Sequence, residues 1–100
     1  DFTYIDDIIQ GVMVAIEKNY SCEVFNLGNN RSEDLLEMIR IIEESIGKKA
    51  DMDLQGMQPG DVEKTFADIE YSREMLDYQP TTPISAGIPK FIDWFKEYNK

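Results

Sequence analysis

Chemistry in this chain would have to come from a few places: the adjacent carboxylates Asp6 and Asp7, the lone Cys22, and the polar loop Gly56-Met57-Gln58-Pro59-Gly60-Asp61. Paired carboxylates can act as acid and base or form one corner of a metal site. Neighbours on a helix, however, point about 100° apart, so Asp6 and Asp7 do not converge on one site. They read instead as first-turn acids that offset the positive end of the helix dipole. Cys22 has no Cys companion, and the chain has no His. The usual general base, the commonest metal ligand and an internal disulfide are therefore all unavailable. Standing just before a strand-like run, Cys22 reads as a packing residue. The loop is more informative. Gly60 lets the backbone turn tightly, Pro59 stiffens the approach, and Gln58 and Asp61 become polar side chains on a rigid loop that follows a strand. Ligand sites in open α/β sheets lie beyond the carboxyl ends of strands. From the residues alone, an ordinary turn and a ligand loop both remain open. Gly28-Asn29-Asn30 has one Gly, too few for a phosphate cradle, and reads as a strand-to-helix turn.

The elements that must position these residues follow from hydrophobic spacing. After an extended start over 1–4, Ile5, Ile8, Ile9, Val12, Ala15 and Ile16 form one helical stripe ending near Lys18-Asn19. Residues 23–27 read as a strand. Ser32 is the expected N-cap of a second helix over 33–46, with the stripe Leu35, Ile39, Ile42 and Ile46 and a stop at Gly47. Ala50, Met52 and Leu54 alternate with polar residues, which predicts a half-wet strand. A short extended piece near 64–67 leads to Asp68, the expected cap of a helix over about 69–77. The last helix is expected to start with Thr82 as cap and Pro83 at its first position, and to kink at Pro89. The fold class is α/β: three to four helices with two or three short strands. The strands near 24–27 and 51–55 would form a parallel pair crossed by the second helix. So little sheet cannot serve so many helices, and the architecture looks cut from something larger.

One hundred residues make at most one domain, with a core that stays thin unless a partner covers part of it. The net charge of −10 argues against nucleic acid or an anionic membrane as partner, because neither is bound without clustered Lys and Arg. Aromatic residues lack interleaved cations and read as core rather than base-stacking platforms. No apolar run approaches the roughly 20 residues that span a bilayer. With no apolar leader before Asp1, a cytoplasmic location is expected.

Two strings, Asp1-Phe2-Thr3-Tyr4-Ile5-Asp6-Asp7 and Met57-Gln58-Pro59-Gly60-Asp61-Val62 followed by Thr65-Phe66-Ala67-Asp68, carry a family likeness. The chain resembles the C-terminal part of extended short-chain dehydrogenase/reductases that act on nucleotide sugars, most of all UDP-glucuronate 4-epimerases. The likeness runs to Trp94-Phe95-Lys96-Glu97-Tyr98. Such enzymes also carry a glycine-rich dinucleotide loop and a Tyr-x-x-x-Lys pair, and neither pattern occurs in these 100 residues.

The resemblance implies that residues 1–100 are the nucleotide-sugar-binding region of an enzyme whose Rossmann half lies elsewhere. NAD would serve the whole enzyme and not be bound by this part. It further implies a UDP-sugar ligand and a homo-oligomeric parent. In galactose-type relatives the matching loop reads Arg-x-Gly-Asp, and its Arg and Asp contact the nucleotide. Here Gln58 stands at the Arg and Asp61 at the Asp, so Gln58 offers hydrogen bonding without a cation. Thr65 matches a position near the sugar. In the family the Asp1 segment follows an Arg that reaches the nucleotide. The alternatives are a nucleotide-sugar dehydratase or decarboxylase, and a free-standing acidic protein-interaction module.

Overall fold

The computed structural model describes residues 1–100 as four helices joined by irregular segments: α1 (Ile5–Lys18), α2 (Leu35–Ile46), α3 (Glu70–Leu76) and α4 (Ile84–Tyr98). Local chemistry sets most of the boundaries. α1 ends at Asn19, which takes the left-handed conformation (φ 53°) and donates its N–H to the Ala15 carbonyl at 3.1 Å. α2 ends in the same way at Gly47 (φ 82°). Its N-cap is Asp34 rather than the expected Ser32: the Asp34 carboxylate accepts from the Leu36 and Glu37 N–H groups at 2.8 and 3.3 Å. Ser32 is used elsewhere, donating its hydroxyl to the Thr65 carbonyl at 2.7 Å. The N-cap of α3 is Ile69 rather than the expected Asp68, which sits one residue earlier and accepts from the Glu70 N–H at 3.1 Å.

α4 starts one residue later than its sequence suggests. Pro83 is its N-cap, and the Pro83 carbonyl accepts from the Ala86 and Gly87 N–H groups at 3.0 and 2.9 Å. The helix then runs unbroken through Pro89, so no separate first turn forms. Proline has no N–H for the carbonyl one turn back, that of Ser85.

The expected strands do not form. Residues 23–27, 50–55 and 64–67 carry no regular secondary structure, and no ladder joins any of them. A strand needs a backbone partner, and side chains make the long-range bonds here. Ser72 donates its hydroxyl to the Asn26 carbonyl at 2.5 Å, and the Asn26 amide donates to the Asp68 carbonyl at 3.2 Å.

α1 packs against α3 and α2 against α4. The small core is Ile69, Leu76 and Tyr78, flanked by Val14, Ala15, Phe25, Leu27 and Ala67. Aromatic edges extend it, with Phe25 stacked on Tyr71 at 5.4 Å. The helical stripes read from the sequence are correct as periodicity, but most of them lie uncovered. On α1 the buried positions are Asp7 and Gly11, while Ile5, Ile9 and Ile16 are 63, 50 and 67% exposed. On α2 the buried residue is Ile41, and Leu35 and Leu36 are exposed. On α4, Phe91, Trp94, Phe95 and Tyr98 form an exposed aromatic ridge. The molecule is flat, 48 × 37 × 19 Å, with a radius of gyration of 16.3 Å. A self-contained domain of this length has a radius of about 13 Å.

Candidate functional site

The loop carrying Gln58 and Asp61 is a turn closed by the Asp61 N–H, which donates to the Gln58 carbonyl at 3.1 Å. Gly60 sits at φ 89°, a conformation that side-chain-bearing residues rarely adopt. The turn therefore brings Gln58 and Asp61 together, and both are exposed. Thr65 lies apart from them, at the far end of the same exposed segment, where the chain returns to the body of the molecule.

That return is built around Asp1. Its Oδ1 accepts from the Asn29 N–H at 3.0 Å and the Thr3 hydroxyl at 3.1 Å, and its Oδ2 accepts from the Ala67 N–H at 2.8 Å. The terminal ammonium of Asp1 donates to the Thr65 carbonyl at 3.1 Å and hydroxyl at 2.7 Å. Ser32 donates to that same carbonyl. Gly28 completes the close approach, since a Cβ there would stand 2.5 Å from the Ala67 Cβ. Asp1, Phe2, Ser32, Glu33, Lys64 and Thr65 line a small cavity of about 190 Å³ here. Lys64 is its cation, and Glu33 is paired outward with Arg31 at 2.8 Å.

A larger groove of about 720 Å³ runs between the first residues and α4, lined by Phe2, Tyr4, Ile84, Phe91 and Trp94 among others. Tyr4 closes one end: a Cβ at Gly87 would lie 3.3 Å from its ring, and Lys90 sits 5.4 Å over its face. This lining suits burial of apolar surface rather than chemistry.

Asp6 and Asp7 diverge, as their spacing requires. Asp6 is exposed, whereas Asp7 is buried at 4% exposure and accepts from the Thr82 and Thr81 N–H groups at 3.0 and 3.2 Å. Asp7 thus holds the approach to α4 onto α1, a tertiary cap rather than the local one its position suggested. Cys22 is exposed and not the packing residue expected, because the strand it precedes has no sheet to bury it. No group of His, Cys, Asp and Glu side chains is placed to hold a metal ion. Tyr78 buries its ring and donates its hydroxyl to the Gly28 carbonyl at 2.8 Å. Burial, with Asp7 nearby, pushes its pKa above the usual tyrosine value.

Asp1, Ser32 and Tyr78 were not singled out as joining residues by sequence reasoning. Their partners are 28 to 66 positions away, and no local pattern marks such bonds.

No protein-family model matches the chain. Among curated proteins, an uncharacterised protein of Methanocaldococcus jannaschii is 42% identical over 97% of this chain and 30% of its own length. UDP-glucuronate 4-epimerase of Thermodesulfobacterium geofontis is 36% identical over 97% of this chain and 30% of its length. A solved structure of UDP-glucuronic acid 4-epimerase from Bacillus cereus, in complex with UDP-glucuronic acid and NAD, superposes with a TM-score of 0.84. It is 35% identical, over 98% of this chain and 32% of that one. Over nearly its whole length the chain is similar to one part, about a third, of UDP-glucuronate 4-epimerases. It spans about a third of the length of the relatives it matches. The four-helix body thus shares the fold of the matching part of that solved structure.

Proposed function

We propose that this chain is the nucleotide-sugar-holding part of an NAD-dependent epimerase that interconverts UDP-glucuronate and UDP-galacturonate. The observation that carries the reading is the match over 98% of this chain, in sequence and fold, to part of an epimerase solved with UDP-glucuronic acid and NAD. The shape of the molecule supports it as well. A flat body with uncovered aliphatic and aromatic faces on α1 and α4 is what a C-terminal part looks like when its cofactor-binding half is not beside it. The parent's oligomeric state belongs to the same proposal, as a homo-oligomer.

In this reading NAD supplies hydride chemistry at the sugar C4, and the residues that hold it lie outside this chain. The contribution of this part is positioning. Gln58 and Asp61 grip the nucleotide from the turn, Gln58 as a neutral hydrogen-bonding group and Asp61 as an acceptor for ribose hydroxyls. Thr65 lies beside the sugar. Binding energy gathered at the nucleotide, away from the reacting carbon, is spent on orienting that carbon.

The test is turnover by the longer protein that contains this chain. Interconversion of UDP-glucuronate and UDP-galacturonate, followed by chromatography, is expected. Release of a decarboxylated or dehydrated sugar nucleotide would replace the reading with a decarboxylase or dehydratase.

A further inference from the structure

We infer that Asp1 is a positioning residue for UDP-sugar binding, acting through the segment that carries Asp61 and Thr65; this rests on the proposed function. The segment from Gly47 to Phe66 is exposed at every residue. Along it the backbone has few anchors: the Ala50 N–H on Glu43, the turn at 58–61, and the knot at Thr65. The last of these ties it to the rest of the molecule near the cavity.

Asp1 is the centre of that knot. Its carboxylate joins three places along the chain, at Thr3, Asn29 and Ala67. The bonds to Asn29 and Ala67 both run from backbone N–H groups to a carboxylate, the stronger class of hydrogen bond. The carboxylate suits the task because both oxygens accept at once. An asparagine amide would place an NH₂ against one of the two N–H groups, donor facing donor. Gly28 and Ala67 are drawn so close that no side chain fits at 28, which leaves the knot little slack. Ser32 provides a second hold on the Thr65 carbonyl. By holding Ala67, two residues after Thr65, the Asp1 carboxylate sets where Thr65 stands and from what direction the Gln58–Asp61 turn is presented, without touching a ligand itself.

The test uses the longer protein that contains this chain, with variants Asp1→Asn, Asp1→Glu and Ser32→Ala. Asp1→Asn is expected to raise the KM for UDP-glucuronate about tenfold and to change kcat by less than about twofold. Amide exchange at Ala67 and over 62–66 should speed up. Asp1→Glu keeps both acceptors and should recover part of the KM, while Ser32→Ala should shift KM in the same direction by less. Faster exchange with KM unchanged would make Asp1 a structural tie only and overturn the inference. A fall in kcat with KM unchanged would overturn it too. Should Asp1→Asn fail to fold, Ser32→Ala carries the test on the same readouts. If the unaltered protein does not turn over UDP-glucuronate, the proposed function fails on its own. Titration with UDP then still decides Asp1, by weaker binding in Asp1→Asn or by equal binding, which overturns it.

Discussion

Gln58 and Asp61 share one turn, and their contributions should differ in size. In the longer protein, Asp61→Ala is expected to raise the KM or Kd for UDP-sugar about 10- to 150-fold, the loss of roughly 1.5–3 kcal/mol for a hydrogen bond to a charged group. NAD binding should be unaffected. Gln58→Ala should act in the same direction by less, because a neutral amide bonds more weakly. A thermal melt belongs beside the kinetics: a lower Tm with unchanged UDP affinity would make the turn structural. Tyr78 gives a pH-dependent prediction. Burial, then Asp7, raise its pKa above 10.0, so the folded state favours the protonated phenol. Its stabilising contribution is present in full below the unfolded value of about 10 and is lost as pH rises through the folded one. Chemical denaturation between pH 9 and pH 11 should show stability falling, and Tyr78→Phe should flatten that fall. The chain order marked Gln58 and Asp61 because a Gly-punctuated turn is local. Tyr78 carries no such mark, since its hydroxyl partner is Gly28 across the fold.

Helix stops were readable wherever the capping group is a near neighbour, as at Asn19 and Gly47. Starts were misread where a tertiary partner claimed the residue. Ser32 satisfies Thr65 instead of its own helix, and Asp7 satisfies Thr81 and Thr82 instead of α1. Two glycines test how rigid the resulting joints are. At Gly28 a Cβ would meet the Ala67 Cβ at 2.5 Å, an atom bonded directly to backbone, so the two segments must separate. Gly28→Ala is expected to cost about 1–3 kcal/mol by overpacking. At Gly11 the nearest atoms are all on side chains. The Leu27 methyls, at 2.7 and 3.0 Å, can swing aside, and the buried Tyr78 ring, at 3.0 Å, must give by a few tenths of an ångström. Replacing a mid-helix glycine by alanine also returns about 1 kcal/mol of helix propensity. Gly11→Ala should therefore be much milder, and parallel denaturant melts of the two variants check the order.

As a whole, the chain has more apolar surface than its own core can cover. α1 presents Ile5, Ile9, Val12, Met13 and Ile16, and α4 presents Phe91, Trp94, Phe95 and Tyr98. Apolar patches beyond a few hundred Å² on a soluble protein generally find a partner. The 100-residue chain by itself is expected to self-associate or to bind a hydrophobic dye, read by light scattering and dye fluorescence. A sharp monomer with a cooperative melt and no dye signal would mean the small core at Ile69, Leu76 and Tyr78 suffices. Isothermal titration of the same chain with NAD⁺ is expected to give no binding, since no glycine-rich loop occurs in it. Micromolar affinity would overturn the division of labour proposed between the two halves.

The sequence alone determined where α1 and α2 lie to within two residues, which turn carries the candidate ligand residues, and, through its two motif strings, the family likeness. These are local properties: helical spacing repeats within a few residues, and turn chemistry within four. The strand-like pattern of 23–27 and 50–55 is local too, whereas pairing is not, and without a neighbouring strand neither segment becomes one. Tertiary structure alone decided which side of each helix is covered. An apolar stripe records which face wants burial, but burial itself depends on what stands opposite, and on α1 little does. It also decided that a carboxylate at position 1 ties residues 3, 29 and 67 together. Bonds across such separations leave no periodicity in a sequence, because the chain between them is free to take any path that brings the partners within reach.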